Sequence, residues 1–252
     1  MIPEVTKLSE SVGVRQVAGR CHVNDKQGPV VVLGGHGQVG QLLTTILIER
    51  GRDVRSVIRK GRQVAAVEAL GAEAVIFNLE AMNASDLAKV LRGASAVVFT
   101  AGAGPGSETR RKRTVDYGAS VLAQRAALEA GVSRFIQVSA FGLQYPVPED
   151  ASPNWREYVR AKRDADIELT ETMLDWTIVR PAALTDEPGT GAVTAAFNLP
   201  AEPRPAPVSR ADVAAVIAAL LDYDVLVRQA FDLAGGSTPI LRALNELAVE
   251  AS

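Results

Sequence analysis

The chain has 252 residues and a formal net charge of −2, a length that suits one α/β domain with a substantial core. The near-balanced charge gives no pull toward nucleic acid or an anionic membrane. Cys21 is the only cysteine, and His22 and His36 are the only histidines; an internal disulfide and a thiolate metal cluster are therefore excluded, and no metal site is expected.

Residues 1–28 mix charged side chains with scattered apolar ones and lack the apolar block of a secretory signal. No apolar run reaches the roughly 18 residues of a membrane span. The expectation is a cytoplasmic protein with an N-terminal extension that serves as a tail, a surface element or an arm onto a partner subunit. From Pro29 onward, β-rich runs alternate with helical patterns. Pro29 to Leu33 reads as a fully apolar strand. Gln38 to Arg50 reads as a helix, with Val39, Leu42, Leu43, Ile46 and Leu47 on one face and Gly51 as its stop. Strand Val54 to Ile58, helix Arg62 to Leu70, strand Ala74 to Phe77, a helix capped by Ser85 that runs to Leu91, and strand Ala96 to Thr100 follow. After the Gly/Pro segment Gly102 to Ser107 come a long helix, Arg110 to Ala130, closed by Gly131, and the strand Phe135 to Ser139. The stretch Phe141 to Asn154 reads as a loop, Trp155 to Met173 as a helix and Trp176 to Arg180 as a strand. Beyond Pro181 the pattern loosens, with a strand near Ala192 to Phe197, a helix from its cap Ser209 to Leu221, a strand Ala230 to Leu233 and a helix Pro239 to Val249.

This alternation predicts a doubly wound, Rossmann-type parallel sheet in three layers, α/β/α. One domain spans 29–252. Its irregular C-terminal region, mainly 182–208, is expected on the substrate side, because ligands sit beyond the carboxyl ends of parallel strands.

Gly34, Gly35, Gly37 and Gly40 fall between the first strand and the first helix. Glycines there permit a tight turn, close approach of the backbone to a pyrophosphate, and close packing of helix on strand. The helix start offers N–H groups and a positive dipole end to phosphates. Gly35, Gly37 and Gly40 fit G-x-G-x-x-G, whereas Gly34, Gly37 and Gly40 fit G-x-x-G-x-x-G. No Lys-Ser or Lys-Thr follows, so a P-loop is not expected. The motif predicts a dinucleotide, with Gln38 and Val39 at the helix start beside its phosphates. No carboxylate stands at the end of the second strand to hold the ribose diol of NAD. Arg59, Lys60 and Arg62 stand there instead, and a guanidinium at Arg59 matches a 2′-phosphate in charge and fork geometry. NADP is therefore favoured over NAD.

Tyr158 and Lys162 lie four residues apart on a predicted helix and share a face. A nearby ammonium lowers a tyrosine pKa, so the pair suits proton donation to a carbonyl, with the Ser139 hydroxyl orienting that carbonyl. The plainer alternative is a packed tyrosine and a solvated lysine.

Together these residues resemble the short-chain dehydrogenase/reductase superfamily. They are the glycine turn, Arg59, Thr100-Ala101-Gly102, Ser139, Tyr158-x-x-x-Lys162 and Arg180-Pro181. Ala130 to Phe135, Thr177 to Pro181 and Leu184 to Gly191 are similar to its atypical NAD(P)-binding branch, with biliverdin/flavin-reductase-like and nitrogen-metabolite-repressor-like members. The resemblance covers 29–236 and favours the frame of Gly34, Gly37 and Gly40. It implies that Asn78 and Leu79 flank the adenine and that Ala101 and Gly102 lie against the ribose and pyrophosphate. It further implies that Pro181 and Ala182 approach the nicotinamide, whose ribose Lys162 of the Tyr158–Lys162 pair is already expected to hold. The chain departs from the family in that Val115 and Asp116 occupy the region of the tetrad asparagine. The function expected is an NADP(H)-dependent oxidoreductase reducing a small carbonyl, enone or flavin-like acceptor. The alternative is a non-catalytic NADP(H) redox sensor. A sugar-nucleotide epimerase is less expected, because only Ala182 to Ser252 remain to build a nucleotide-sugar domain. A small-molecule substrate is the expected partner, and a homodimer is left open.

Overall fold

Val-Val-Val-Leu at Val30–Leu33 and Ala-Val-Val-Phe at Ala96–Phe99 are buried at every position. A strand apolar at consecutive positions must be covered on both faces, which places it inside a parallel sheet clad by helices. The computed structural model, which describes residues 28–104 and 106–252, has this arrangement. The expected extension, with Cys21 and His22, falls outside the described residues apart from Gly28.

The strands are β1 Val30–Leu33, β2 Val54–Ile58, β3 Glu73–Ile76, β4 Ala96–Phe99, β5 Arg134–Val138, β6 Asp175–Pro181, β7 Leu184–Thr185, β8 Ala192–Ala196, β9 Val208–Ser209, β10 Gln229–Gly235 and β11 Thr238–Pro239. The helices are α1 Gln38–Glu49, α2 Val64–Glu68, α3 Ala84–Leu91, α4 Thr109–Arg111, α5 Ser120–Ala130, α6 Pro153–Thr170, α7 Arg210–Asp222 and α8 Ile240–Glu250. The main sheet has nine strands, in the order β11-β8-β10-β6-β5-β4-β1-β2-β3. β3, β2, β1, β4, β5, β6 and β10 run parallel, and β8 and β11 finish one edge antiparallel. β7 and β9 form a separate small ladder. The doubly wound fold is thus present. After Pro181, β8 and β10 match the strands expected near Ala192 to Phe197 and Ala230 to Leu233, and the short β7, β9 and β11 are additional.

Successive side chains of β1 go to opposite faces. Val30 and Val32 join one core with Leu43, Leu47, Val213, Ile217 and Leu244, which come from α1, α7 and α8. Val31 and Leu33 join the other, with Leu87, Leu91, Ala123, Ala127 and Leu169 from α3, α5 and α6. This alternation is the three-layer architecture written in four residues.

Capping side chains set the helix starts. Asn83, rather than the expected Ser85, accepts the Asp86 N–H at α3, while Ser85 donates to Glu129. Ser152 accepts the Trp155 N–H at α6, and Pro153 takes the first helical turn, where its missing N–H costs nothing. α6 accordingly begins two residues before the expected Trp155. The long helix expected from Arg110 to Ala130 is composite: α4, then π-helical bonding over Lys112–Ala119, then α5. Such π segments concentrate at functional sites, and this one turns Lys112 and Asp116 inward, both buried.

β1 pairs with β2 on one side and β4 on the other, so the direction of winding reverses there. The crevice beyond the carboxyl ends of β1 and β4 is where this fold receives a ligand.

Candidate functional site: the groove beyond β1 and β4

Gly34 leaves β1 at φ +91°, a conformation that L side chains rarely adopt, and a Cβ there would lie 2.8 Å from the Ala101 backbone. A Cβ on Gly35 would come within 2.6 Å of Ser56 Cβ, and one on Gly40 within 2.6 Å of the Gly34 carbonyl oxygen. A Cβ on Gly37 would meet only the Gly34 carbonyl oxygen, at 3.1 Å. Close approach falls on Gly34 and Gly35 alike, one from each glycine frame, and Gly35 seats the turn on β2. Gly37 is the N-cap residue of α1; no side chain caps that helix and no acidic residue occupies its first turn. The first-turn N–H groups of Gln38, Val39 and Gly40 lack intrahelical acceptors and lie at the positive end of the helix dipole, while the Gln38 side chain donates to Asp186 Oδ1 at 2.9 Å.

A groove of about 300 Å³ opens above this turn. Gly34, Gly37, Arg59, Asn78, Leu79, Ala101 and Gly102 line it, so seven of the predicted cofactor residues meet in one place. His36, Thr100, Glu80, Arg111 and Val115 complete the walls. Asn78 accepts the Glu80 N–H through its side-chain oxygen, which shapes the loop after β3. Gly102 is held close to a buried carboxylate: a Cβ there would lie 3.2 Å from Asp116 Oδ1. The uncapped helix start, the small residues at Ala101 and Gly102, and the apolar wall of Val57, Phe77 and Leu79 fit a dinucleotide. The pyrophosphate would lie over Gly34 to Gly40 and the adenosine toward Asn78 and Leu79.

Arg59 stands at the rim of the groove, and its Nη1 lies 3.3 Å from Glu80 Oε2. The same oxygen accepts from Arg111 Nη2 at 3.0 Å, and Glu80 Oε1 accepts from Thr114 at 2.8 Å. Burial opposes ionisation of Glu80, but the hydrogen bonds from Arg111, Thr114 and Arg59 outweigh it and hold the carboxyl below its usual range.

Tyr158 and Lys162 lie on α6 and do not themselves line the groove, but Asp116 links Lys162 to its wall at Gly102 and Ala103. The Tyr158 ring is flanked by Trp155, at 5.3 Å between centroids, and by Lys112, whose Nζ lies 5.4 Å over the ring. Lys162 is buried. Its Nζ donates to the Val138 carbonyl at 3.1 Å and lies 3.4 Å from Asp116 Oδ1. Burial works against the ammonium, but Asp116, then Tyr158 and Asp166, hold Lys162 above its ordinary value. The lowered tyrosine expected from the Tyr-Lys pair is reversed. Burial pushes Tyr158 up, Asp116 and Asp166 add to it, and Lys162 only partly offsets them. Tyr158 is thus a neutral phenol near neutral pH. The region of the missing asparagine is also not inert, since Asp116 is the counter-ion of Lys162 and accepts the Ala103 N–H at 3.3 Å.

Ser139 does not meet Tyr158 through a hydrogen bond. Its hydroxyl donates to Asp166 Oδ2 at 2.9 Å, beside Gln137 on Oδ1 at 2.8 Å and Arg180 Nε at 3.2 Å. Burial raises Asp166 despite these partners. Pro181 ends β6, where its carbonyl accepts the Phe141 N–H; the Ala182 N–H goes to Leu233. These bonds fix the backbone beyond β6. Sequence reading missed Lys112, Glu80, Arg111 and Asp166. Lys112 and Asp116 share an i, i+4 spacing in an otherwise amphipathic stretch, a local signal that could have singled them out, although Lys112 bonds the Gly104 carbonyl and Asp116 pairs with Lys162. The Glu80–Arg111 contact has no local signal.

Among the described residues, no helix is long and apolar enough to cross a membrane, and no group of three His, Cys, Asp or Glu residues could hold a metal.

Comparison with known proteins agrees with this geometry. A family model described as NAD(P)H-binding matches residues 34–224. YhfK of Bacillus subtilis, named a sugar epimerase and itself uncharacterised, is 39% identical over 219 residues, covering 86% of this chain and 99% of its own. A Bacillus halodurans structure named as an NAD-dependent epimerase/dehydratase superposes with a TM-score of 0.79 at 33% identity, covering 87% of this chain and 100% of the other. ChuY of Escherichia coli O157:H7, described as an anaerobillin reductase, has a TM-score of 0.69 at 28% identity, over 82% of this chain and 96% of its own. The chain belongs to the NAD(P)H-binding family, among the atypical short-chain dehydrogenase/reductase-like epimerases and reductases.

Proposed function

We propose that the chain is an NADP(H)-dependent reductase of a small carbonyl, enone or flavin-like acceptor. The observation that carries this reading is the Tyr158, Lys162 and Asp116 arrangement, a protonated phenol one helical turn from a buried, counter-ion-held ammonium. The reduced nicotinamide, when bound, supplies the hydride. Tyr158 gives the proton to the acceptor oxygen, and the Lys162 charge steadies the phenolate left behind. Asp116 and the Val138 carbonyl keep Lys162 charged and in place. Ser139, committed to Asp166, is assigned no part in the proton transfer. Arg59 selects the 2′-phosphate, because no carboxylate closes the end of β2. The resemblance to ChuY, described as an anaerobillin reductase, supports the reductase reading.

The test is NADPH oxidation by the full chain against a panel of carbonyls, quinones, flavins and linear tetrapyrroles. Turnover that Tyr158→Phe cuts by about 100-fold or more, with cofactor affinity kept, is the expected result. Tight cofactor binding with no turnover on any acceptor would favour a redox sensor. The names of YhfK and the B. halodurans protein favour a second reading, sugar epimerisation, which would leave no net NADPH consumed.

A further inference from the structure

We infer that Arg59 and Arg111 are two arms of one 2′-phosphate clamp, held together by Glu80. This rests on the NADP(H) reading above and adds a residue to it that sequence position does not suggest. Three separate pieces of chain converge here. Arg59 comes from the loop after β2, Glu80 from the loop after β3, and Arg111 from α4, and all three line the dinucleotide groove. Both guanidinium groups reach the same oxygen, Glu80 Oε2, at 3.3 and 3.0 Å. Thr114 fixes the other oxygen at 2.8 Å, so the carboxylate cannot swing away with one arm.

One carboxylate balances only one of two guanidinium groups, which leaves a surplus positive charge at the adenosine end of the groove. A phosphate monoester carries about −1.5 to −2 charges near neutral pH and accepts forked N–H donors through several oxygens. A ribose 2′-hydroxyl offers neither. Both arms keep partly exposed side chains, 43% for Arg59 and 35% for Arg111, so their outer N–H groups reach solvent and a ligand. Glu80 acts through the arms and is a positioning residue.

Calorimetry with 2′,5′-ADP and with 5′-AMP, which differ only in the 2′-phosphate, separates that group from the rest of the nucleotide. The wild-type chain is expected to prefer 2′,5′-ADP. Arg111→Ala should weaken 2′,5′-ADP by about tenfold or more and 5′-AMP by less than about twofold. Arg111→Lys should recover part of the loss, since it keeps the charge but not the fork. Glu80→Ala should also weaken 2′,5′-ADP selectively, and Glu80→Gln, which keeps an acceptor for the arms, should restore it. Equal loss of both nucleotides in Arg111→Ala, or no loss, overturns the clamp. Tighter 2′,5′-ADP binding in Glu80→Ala would make the carboxylate a competitor and overturn its positioning role. If Arg59→Ala discriminates and Arg111→Ala does not, the clamp fails alone. If neither does and the wild-type chain shows no preference, the NADP(H) reading fails with it.

Discussion

At the scale of single residues, the deciding feature of the candidate centre is who neutralises Lys162. A lysine buried without a counter-charge loses its proton several pH units early, yet Lys162 stays above its ordinary value because Asp116 stands 3.4 Å away. Asp116→Asn should remove the largest opposing influence and let burial act. The alkaline limb of kcat/KM is then expected to move down by about one to three pH units; an unmoved limb would mean that Val138 and Asp166 suffice. The same change has a signature without cofactor. A lysine whose folded pKa lies above its unfolded one adds stability that is fully present below the unfolded value and lost as pH rises through the folded one. Wild-type protein should therefore lose melting temperature at high pH, through that window, more steeply than Asp116→Asn. Tyr158→Phe, by contrast, leaves the ion pair intact and should affect turnover only.

At the scale of elements, the glycine turn joins fold and site. A Cβ on Gly35 would meet Ser56 Cβ at 2.6 Å and Ser56 Cα at 3.1 Å, and the latter belongs to the backbone of β2 and cannot swing aside. Gly35→Ala should cost about 1–3 kcal/mol by urea unfolding and lift the turn from the phosphates, weakening dinucleotide binding. Gly118, within the π-helical stretch, is a fair control, since its nearest neighbour would be the Arg113 carbonyl oxygen at 3.5 Å. Gly118→Ala should be neutral or stabilise by up to about 1 kcal/mol. The turn was legible in the sequence because its constraints are local: four glycines between an apolar run and an amphipathic one. The runs of β1 and β4 were legible for a similar reason, since burial on both faces leaves no polar position. The π-helical stretch was not, because apolar periodicity does not distinguish the π pattern from an ordinary helix. Nor were β7, β9 and β11, which are too short to show a period. The Glu80–Arg111 contact joins residues 31 positions apart and was invisible to any spacing rule. Ser139 was placed correctly at the end of β5, yet its partner, Asp166, sits two helical turns beyond the Tyr158 that the motif suggested.

At the scale of the whole molecule, a buried carboxylate adds to the sheet pairing and core packing that join the C-terminal region to the Rossmann body. Asp232 on β10 is fully buried and pairs in register with Arg180 on β6. Its Oδ2 accepts the Leu199 N–H at 2.9 Å and Gln144 Nε2 at 3.1 Å, which ties the segment before Pro200 to the loop after β5. Tyr145 adds a bond from its hydroxyl to the Leu199 carbonyl. Asp232 Oδ1 has no partner among the described residues. Burial pushes this carboxyl above its usual range, against the pull of Leu199, Gln144 and Arg180. For an acid raised on folding, ionisation costs stability: the cost is absent below the unfolded pKa, grows as pH rises toward the folded one, and is complete above it. Asp232→Asn keeps a side-chain oxygen for Leu199 and Gln144 and removes the buried charge. Its melting temperature at pH 7 should exceed that of wild type, with the gap closing as pH falls to about 4 or below. Asp232→Ala removes both hydrogen bonds and leaves buried donors unsatisfied, so it should melt lower at either pH and open the chain near Leu199 to proteolysis. An asparagine variant that melts below wild type at pH 7 would show that attraction to Arg180 outweighs burial, and that the fastening is an ion pair rather than a pair of hydrogen bonds.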